Sequence, residues 1–500
     1  MYQEKLIQKM QEGNFYPHKV NHPIEIIQTH CSIVFLTGDY AYKMKKKVDF
    51  GFLDYSTLEK RKHFLEEELR MNKTIAPELY LQVIPISYFQ EEFIFNDDSQ
   101  SIEYILKMRQ FPQENLFLNL FEVGKLTEKH LQDLGKIVAN FHKNTDTNDY
   151  INSFGTAEKI GESINQNYQQ TAKYIGEVQT LEKYQQTKAF TDNFLRLNEN
   201  LFKQRQINHK IRECHGDLHL KNICIWQDKI QLFDRIEFNE PFRFVDVMYD
   251  VAFLVMDINS KGEKELANVF LNTYLERTGD WEGLQVLPLY LSRQAYVRAK
   301  VTSFLLDDSA ITETLKKEAK KNADDYYNLA WQYTQKSQGK LILMSGLSGS
   351  GKSTIARKIA QQNNAIHIRS DAVRKHLAGI SLEEKGDDFL YSSSMTQKTY
   401  ERLFYLAKLL TKQGFTIILD AKFDRVSLRQ PMVEFAIQEN IDLQIIYCTA
   451  PLNILFDRLQ QRKGDISDAT PELLAQQQAK LELFTDTEKA FLKIINTEEN

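Results

Sequence analysis

The sequence predicts two successive regions of different fold class, an α+β region followed by an α/β region with a parallel sheet. In this chain of 500 residues, short strands surround one helix in the first third, and the next stretch is mainly helical. From residue 341 onward, apolar strands alternate with helices, a pattern typical of a parallel sheet covered on both faces. A short polar segment at 334–340 separates the two patterns. We therefore predict one domain over 1–336 and another over 337–500.

The composition is that of a water-soluble folded protein. The hydrophobic fraction is 42% and the charged fraction 26%, and the net charge of −5 argues against a general affinity for nucleic acid. The four cysteines show no paired spacing, which predicts separate thiols in a reducing compartment. The first residues lack a signal-peptide pattern, and no apolar run reaches the roughly 18 residues of a membrane span. We expect a cytoplasmic protein without a membrane partner, and the oligomeric state stays open.

The strands of both regions are predicted from short apolar or alternating runs bounded by turn residues. In the first region they fall at 32–35, 41–45, 81–88, 93–95 and 102–108, and Gly38 turns the first two into a hairpin. Ser56 and Glu59 have the spacing of a capping box, which predicts a helix from there to about Asn72. In the second region the predicted strands fall at 341–344, 365–368, 416–419, 443–447 and 492–495.

The strongest motif is a phosphate-binding loop (P-loop) after the first strand of the second region. Residues 346–353 fit G-x-x-x-x-G-K-[ST] in full, and a helix is predicted to begin near Thr354. Backbone N–H groups of such a loop surround phosphate oxygens, Lys352 would reach the β- and γ-phosphates of ATP, and Ser353 would hold Mg²⁺. A Gly/Ser loop that fits by accident is the alternative, and the strand and helix around it argue against that. The predicted ATP-binding residues are Gly346, Ser348, Gly349, Ser350, Gly351, Lys352, Ser353 and Thr354.

Charged residues near the following strands predict phosphate transfer rather than nucleotide binding alone. Asp371 and Arg374 follow the second strand one helical turn apart, so they can hold an acceptor hydroxyl and a phosphate on one face. Asp420 ends the third strand, at the sheet edge where ligands of such folds bind, and is a candidate metal ligand. Arg458 and Arg462 lie one turn apart on a later helix and could act as a lid on the phosphate. Surface ion pairs or helix caps are the alternative for all five.

The second region resembles the small P-loop kinases related to polynucleotide kinase, zeta toxin and gluconate kinase. The resemblance covers about 339–500. In those kinases an Asp-x-x-Arg after the second strand supplies the catalytic base and a substrate-binding arginine, and Asp371 and Arg374 match it. A mobile arginine-bearing lid would correspond to Arg458, Arg462 and the polar residues 463–465. The resemblance implies kinase chemistry and leaves the substrate open.

A second constellation lies in the first region. Residues 215–222 read H-x-D-L-x-x-x-N, the spacing of a kinase catalytic loop with glycine in place of arginine. Asp217 would accept the proton of the attacking hydroxyl, and Asn222 would hold Mg²⁺. Asp234 ends a strand 12 residues later and would bridge the metal to the phosphates. The alternative is a polar turn in which Asp217 and Asn222 bond only to nearby backbone.

Such a site also requires a lysine on a strand and a glutamate on a helix. Lys43 lies on a predicted strand, and we prefer it over the lysines at 45–47. On the helix that follows, Glu68 shares a face with Leu65, whereas Glu66 has the spacing of an outward ion pair. Lys43 and Glu68 are therefore the predicted pair that holds the phosphates of ATP in this region. A solvated strand edge is the alternative for each lysine.

The first region resembles the aminoglycoside phosphotransferase family, the small-molecule branch of the protein-kinase fold. The residues that carry this resemblance are 214–219 and the later run 245–252. It implies a bilobal protein-kinase-like domain, with an N-lobe over about 1–107, a C-lobe over about 111–336 and a hinge at 107–110 that meets adenine. Asp250 would anchor the catalytic loop by hydrogen bonds. Two departures are the absence of Phe-Gly after Asp234 and the presence of only one glycine, Gly38, in the loop before Lys43.

Three functions follow from these patterns. The first is a bifunctional ATP-dependent kinase, in which each domain transfers the γ-phosphoryl group of Mg-ATP to a hydroxyl of a small molecule. The second is a single active P-loop kinase or ATPase, with the N-terminal domain as a nucleotide-sensing or scaffold module. The third is phosphorylation of nucleic-acid 5′ ends by the C-terminal domain, against which the acidic charge balance argues. The acceptors of both domains, and any coupling between them, stay open.

Overall fold

The computed structural model describes residues 2–51, 53–308 and 311–498. These residues form two compact units. The first unit contains the chain up to Leu126 together with Asn144–Gln166 and Asp192–Asp257, and the second contains Thr127–Lys143, Asn167–Thr191 and the chain from Ile258 onward. No helix in these described ranges has both the length and the apolar character that a membrane crossing requires. The four cysteines are free, as predicted.

Up to residue 260 the chain alternates antiparallel strands with helices. The strands are β1 (Glu25–Gln28), β2 (Ser32–Leu36), β3 (Tyr40–Lys45), β4 (Tyr80–Phe89), β5 (Glu92–Phe95), β6 (Ser101–Arg109), β7 (Ile211–Glu213), β8 (Ile223–Trp226), β9 (Lys229–Leu232) and β10 (Phe244–Asp246). The helices are α1 (Tyr2–Lys9), α2 (Leu58–Lys73), α3 (Phe117–Glu122), α4 (Glu128–Asn144), α5 (Asp149–Asn152), α6 (Ala157–Thr171), α7 (Leu181–Leu197), α8 (Glu199–Ile207), α9 (Glu240–Arg243) and α10 (Val247–Ser260).

After residue 260 three helices precede an alternating strand–helix pattern. The strands are β11 (Lys340–Ser345), β12 (Ile366–Arg369), β13 (Thr416–Asp420), β14 (Asp442–Thr449) and β15 (Leu492–Asn496). The helices are α11 (Lys264–Thr278), α12 (Leu287–Phe304), α13 (Glu313–Gln332), α14 (Lys352–Asn363), α15 (Ser370–Ala378), α16 (Ser393–Thr411), α17 (Val426–Gln438), α18 (Leu452–Gln461), α19 (Leu473–Ala479) and α20 (Asp486–Lys489).

The first unit is built on a six-stranded sheet in the order β1-β2-β3-β6-β4-β5. All its pairings are antiparallel, and the predicted β2–β3 hairpin pairs Val34 with Lys43. Apolar side chains such as Phe35, Tyr42 and Ile105 form one buried core, and Leu106 lies with Leu65 of α2 in a second one. Because successive strand residues point to opposite faces, both faces of the sheet are covered. Two short strand pairs, β7–β10 and β8–β9, follow the sheet in the chain and flank the predicted catalytic loop.

The start of α2 corrects one prediction. The cap is Thr57, whose side chain accepts from Lys60 N, and not Ser56. Ser56 donates its hydroxyl and its backbone N–H to the carboxylate of Asp54 instead, at 2.5 and 2.9 Å. Because the Ser56 hydroxyl is already committed to Asp54, the next residue with a side-chain oxygen takes the capping position.

The second unit contains a five-stranded parallel sheet in the order β12-β13-β11-β14-β15. The five predicted strands are all present. The inner strands β11 and β13 are buried along most of their length, whereas the edge strand β15 is largely exposed. Parallel register brings the ends of β11, β12 and β13 to one edge, with Met344 and Arg369 both paired with Asp420. The P-loop and Asp371 follow directly at that edge. The predicted fold class, an α+β region followed by an α/β region with a parallel sheet, is confirmed.

The predicted seam at 334–340 lies between α13 and β11. Both elements belong to the second compact unit, which also contains α11 and α12. The division at residue 336 therefore stays a prediction from sequence, and the compact units group the helices before it with the parallel sheet.

Candidate active sites

The P-loop joins β11 to α14, and three of its glycines have positive φ. The angles are 135° at Gly346, 80° at Gly349 and 78° at Gly351, a region that side-chain-bearing residues rarely adopt. A Cβ on Gly346 would lie 2.3 Å from Cys448 O, and one on Gly349 would lie 2.8 Å from Leu455 O. The loop is therefore packed so closely on neighbouring backbone that only glycine fits, and its shape is a preformed concave backbone.

Lys352 is the first residue of α14, and its Nζ donates to Leu347 O at 2.8 Å. Burial lowers the pKa of Lys352, while Asp420 and Asp371 act to raise it. Ser353 and Thr354 follow in the first helical turn, Ser353 half-buried and Thr354 exposed. The structure thus gathers the P-loop lysine and the two predicted carboxylates within electrostatic reach of one another.

Two polar atoms near the P-loop are buried and have no hydrogen-bond partner within the described part of the chain. They are Ser350 Oγ and Arg462 Nη1, and the Arg462 charge acts on Lys352. Ser348 is held differently, since its N–H donates to Gln477 Oε1 at 3.0 Å and its hydroxyl accepts from Gln477 Nε2 at 3.1 Å. Unpaired donors beside a concave loop of N–H groups fit a phosphate-bearing ligand.

Asp420 is bound by a histidine that sequence reasoning missed. His367 on β12 donates from Nε2 to Asp420 Oδ2 at 3.0 Å, and both side chains are buried. Burial alone would raise the pKa of Asp420, but the hydrogen bond from His367 and the charges of Arg369 and Lys352 hold it below its usual range. Asp420 is therefore an ionised oxygen donor in a fixed orientation. The only sequence signal was the polar residue inside the apolar strand 365–368.

Asp371 and Arg374 lie on α15, as predicted. Burial raises the pKa of Asp371, and the charges of Arg369 and Arg374 partly oppose that rise. Arg374 is 8% exposed and donates from Nη1 to Leu390 O at 3.0 Å and to Thr396 Oγ1 at 3.2 Å. Its Nε is buried and has no hydrogen-bond partner among the residues that the structure describes. A carboxyl with a raised pKa beside such a guanidinium suits proton acceptance next to an anion.

The two predicted lid arginines have different surroundings. Arg458 donates to Thr497 Oγ1 at 3.1 Å, to Gly349 O at 3.4 Å and to Thr497 O. Thr497 Oγ1 in turn donates to Ser350 O at 2.9 Å. Arg458 thus ties the P-loop to the residue after β15. Arg462, predicted on the same helix, lies just after its end in extended backbone and carries the unpaired Nη1. Their action as a lid stays a prediction.

The first unit contains the second predicted constellation. Asn222 Nδ2 donates to Asp217 O at 3.0 Å and to Asp217 Oδ2 at 3.1 Å, so the two residues are adjacent. The hydrogen bonds predicted for Asp250 are present, since it accepts from His215 N at 2.7 Å and from Gly216 N at 2.8 Å. Gly216 has a φ of 83°, and a Cβ there would lie 2.7 Å from Phe242 O. The loop is therefore fixed by Asp250 beneath it.

Lys43 and Glu68 form the predicted ion pair at 2.7 Å, and Lys43 also contacts Asp234 Oδ1 at 2.6 Å. Burial would lower the pKa of Lys43, but the carboxylates of Asp234 and Glu68 raise it well above its usual value. Asp234 has a φ of 62°, and its N–H donates to Tyr80 Oη at 3.0 Å. The structure thus brings together three residues that lie up to 191 positions apart in the chain.

A second lysine contacts the same glutamate. Lys45 is 1% exposed and lies 2.9 Å from Glu68 Oε2, and it also contacts Glu237. Tyr55 Oη donates to the same Glu237 oxygen at 2.6 Å. The period of two, which places Lys45 on the same face as Lys43, was the available signal for Lys45. The partner Glu237 lies 192 residues away and had no local signal.

In the predicted hinge at 107–110, the backbone N–H groups of the last two residues already donate hydrogen bonds. Arg109 N donates to Leu79 O at 2.8 Å and Gln110 N to Asp39 O at 3.2 Å. Gln110 Oε1 accepts from Gly38 N at 2.8 Å, so the β2–β3 turn is tied to the hinge. Adenine contacts at this hinge stay a prediction.

Comparison with known proteins supports the division of folds. Residues 341–484 match the family model of an AAA domain. An uncharacterized protein of Mycobacterium tuberculosis is 28% identical over 456 residues, which cover 90% of this chain and 89% of that protein. An adenylyl-sulfate kinase of Myxococcus xanthus is 28% identical over 130 residues, 25% of this chain and 64% of the kinase.

Among solved structures, a choline/ethanolamine kinase family protein from Mesorhizobium loti is similar at 9% identity and a TM-score of 0.38. The match covers 67% of this chain and 99% of that protein. The family match thus falls on the part of the C-terminal region that contains the P-loop and the parallel sheet.

Proposed function

We propose that this protein is a bifunctional ATP-dependent phosphotransferase whose two sites each transfer the γ-phosphoryl group of ATP to a hydroxyl of a small molecule. The observation that carries the proposal is the grouping of Lys352, Asp371 and Asp420 at one edge of the parallel sheet, where their charges act on one another. A P-loop alone supports nucleotide binding. A carboxyl of raised pKa beside it adds a proton acceptor, which transfer to a hydroxyl requires.

In the P-loop site, the loop N–H groups and Lys352 would hold the phosphates of ATP. The carboxylate of Asp371 would take the proton from the acceptor hydroxyl as its oxygen attacks the γ-phosphorus, and ADP would leave with the electrons of the broken bond. Arg374 would hold an anionic group of the acceptor or the transferring phosphoryl group through its unpaired Nε.

In the first unit, Asp217 would take the hydroxyl proton, and Lys43, held by Glu68, would contact the phosphates. Oxygen donors suitable for Mg²⁺ occur at both sites: Asn222 and Asp234 in the first unit, and Ser353 and Asp420 in the second. Bound Mg²⁺ neutralises phosphate charge. In this proposal the acceptors are small molecules in the cytoplasm, and nucleic acid is not an acceptor.

The test is an ATP-consumption screen against a library of hydroxyl-bearing metabolites. It compares the wild type with Asp217→Asn and Lys352→Ala, and Glu265→Gln on an exposed helix face serves as control. We expect Asp217→Asn to lose the acceptor-dependent ATP turnover of the first site and Lys352→Ala to lose that of the P-loop site. Each of these two variants should keep the turnover of the other site. If Lys352→Ala alone abolishes all turnover, the N-terminal region is a binding module; if neither variant loses turnover, the proposal is wrong.

Phosphorylation of nucleic acid is tested separately by 5′-end labelling of oligonucleotides over a series of salt concentrations. Labelling that weakens as the salt concentration rises and disappears in Lys352→Ala would assign the C-terminal site to nucleic acid. We expect no labelling.

A further inference from the structure

Helix α11 covers the free edge of the parallel sheet. β12 is the terminal strand, so one row of its backbone groups has no neighbouring strand. Asn268 Nδ2 and Asn272 Nδ2 both lie 3.0 Å from Ala365 O, and Asn272 Oδ1 accepts from His367 N at 2.7 Å. Asn272 therefore makes the two-point contact with strand backbone that a sixth strand would make.

A third contact continues the same row. Glu276 Oε1 lies 3.7 Å from Arg369 Nη1. On α11 the three contacting residues are four positions apart, a rise of about 6 Å, and on the strand the residues they contact are two positions apart, about 6.6 Å. The two spacings nearly match, so successive residues on one face of α11 can contact successive residues along the edge of β12. α11 precedes the predicted seam and belongs to the same compact unit as the parallel sheet.

The contacts of Asn272 and Glu276 lead towards the P-loop site. Asn272 fixes the backbone of His367, whose ring donates to Asp420 at 3.0 Å. Glu276 contacts Arg369, whose Nη2 lies 2.6 Å from Asp465 Oδ1.

The second path continues to the proposed base. Asp465 Oδ1 also accepts from Ser467 N at 2.8 Å, and Ser467 lies close enough to Asp371 to act on the pKa of its carboxyl. The 465–467 turn is thus fixed at one end by Arg369 and lies at the other beside Asp371.

We propose that Asn272 and Glu276 are positioning residues of the P-loop site. Asn272 acts through His367 on the orientation of Asp420, and Glu276 acts through Arg369 and Asp465 on the turn that lies beside Asp371. The inference deepens the proposed phosphotransferase function and rests on it for the kinetic readout. It assigns a catalytic contribution to a helix that sequence places before the P-loop domain.

The two contacts affect turnover more than nucleotide binding. The P-loop leaves β11, which is separated from β12 by β13, so the concave loop keeps its shape when an α11 side chain changes. The relays end instead at the predicted metal ligand Asp420 and the proposed base Asp371. Loss of a relay therefore lowers kcat and leaves the Kd for nucleotide nearly unchanged.

The kinetic test uses the full chain with Asp217→Asn, which silences the first site. Glu276→Gln removes one charge, Asn272→Ala removes both amide contacts, and Glu265→Gln is a matched control on an exposed face of the same helix. We expect kcat for ATP turnover to fall roughly three- to thirty-fold in the first two variants. The Kd for ADP at the P-loop is expected to stay within about twofold, and the control is expected to equal the parent.

A structural readout separates this inference from the proposed function. Hydrogen exchange is measured by mass spectrometry on peptides covering 462–470 and 341–360 in the same four proteins. We expect faster exchange over 462–470 in Glu276→Gln, unchanged exchange over 341–360, and parent behaviour in Glu265→Gln. This outcome supports the positioning path even if the parent turns over no ATP, a result that would contradict only the proposed function.

Two results would overturn the inference. One is that Glu276→Gln and Asn272→Ala show the same kcat, and the same exchange over 462–470, as the control Glu265→Gln. The other is a uniform rise in exchange over both peptides with a lowered Tm, which would assign α11 a purely stabilising role.

Discussion

Lys43 Nζ lies 2.7 Å from Glu68 Oε1, and this pair is buried beneath the six-stranded sheet of the first unit. The second oxygen of the same carboxylate binds Lys45, which also contacts Glu237. The two lysines differ in exposure and in their second carboxylate, because Lys43 contacts Asp234, which is 43% exposed, whereas Lys45 contacts Glu237, which is buried. This difference separates a lysine available to a ligand from one that fixes the glutamate.

The first prediction contrasts these lysines. Lys45→Met leaves the buried carboxylate of Glu237 without its lysine and Glu68 with Lys43 alone, and we expect it to lower the free energy of unfolding by about 3–5 kcal/mol. Lys43→Met is expected to cost less stability, because Lys45 still neutralises Glu68 and Asp234 is half-exposed, yet to lose ATP turnover at the first site. Denaturant unfolding and ATP consumption in the Lys352→Ala background measure the two effects.

The control is Lys47→Met, since the Lys47 side chain is exposed on the segment that follows β3. It is expected to match the parent in both measurements. Equal losses of stability in Lys43→Met and Lys45→Met, with ATP turnover retained in Lys43→Met, would reverse the assignment of the two lysines.

The fold was predictable wherever burial alone determines the pattern. The strand 416–419 is apolar because both its faces are buried, and Asp420 at its end marks the ligand edge from sequence alone. The cap of α2 was placed one residue early because the choice between Ser56 and Thr57 depends on the hydrogen bonds of Ser56 with Asp54. Such local competition has no signature in the spacing of residues.

In the candidate sites, the sequence predicts the residues that belong to a motif of fixed spacing. It does not predict the residues that hold those motif residues in place. The P-loop and the pair Asp217–Asn222 lie within eight residues of sequence each, so their spacing can be read directly. His367 and Thr497 act through contacts with Asp420 and Ser350, 53 and 147 positions away. These long-range contacts are set by tertiary packing, which a single sequence does not encode in any local pattern.

The second prediction concerns the shape of the P-loop. Gly346→Ala would place a Cβ 2.3 Å from Cys448 O at a φ of 135°, so the loop must move away from β14. We expect nucleotide affinity at the P-loop to fall at least about tenfold, equivalent to about 1.4 kcal/mol. Isothermal titration with ADP in the Asp217→Asn background measures it.

Gly379→Ala is the matched control for this change. Gly379 also has a positive φ, 71°, but a Cβ there meets nothing within 4 Å. It places an alanine at a positive φ without the collision and with less backbone strain, and it should leave nucleotide affinity unchanged. An equal loss of affinity in both variants would attribute the effect to stability rather than to loop shape.

The third prediction concerns Thr497, which is 1% exposed and joins Ser350 O to Arg458. Thr497→Val keeps the volume and removes the hydroxyl, so the buried carbonyl of Ser350 and the guanidinium of Arg458 lose a partner. Leaving buried polar groups unpaired costs about 1–3 kcal/mol, and we expect a lower Tm together with weaker nucleotide binding at the P-loop. Thr497→Ser keeps the hydroxyl and should behave as the parent; a Thr497→Ser variant as impaired as Thr497→Val would point to the methyl group instead.

The last prediction is the pH dependence of the P-loop reaction. Asp371 must be ionised to accept a proton, and burial raises its pKa above that of an ordinary carboxyl. As the pH is lowered, turnover should therefore be lost at a higher pH than it would be with an ordinary carboxyl as the base. The positive charge of Arg374 opposes the rise, so Arg374→Gln should move this acid limb to still higher pH, whatever it does to the maximal rate. The kcat/KM profile of ATP turnover in the Asp217→Asn background measures the position of the limb.

Arg357→Gln, an exposed change on α14, serves as control and should leave the limb in place. A limb that stays fixed or shifts to lower pH in Arg374→Gln would exclude Asp371 as the proton acceptor.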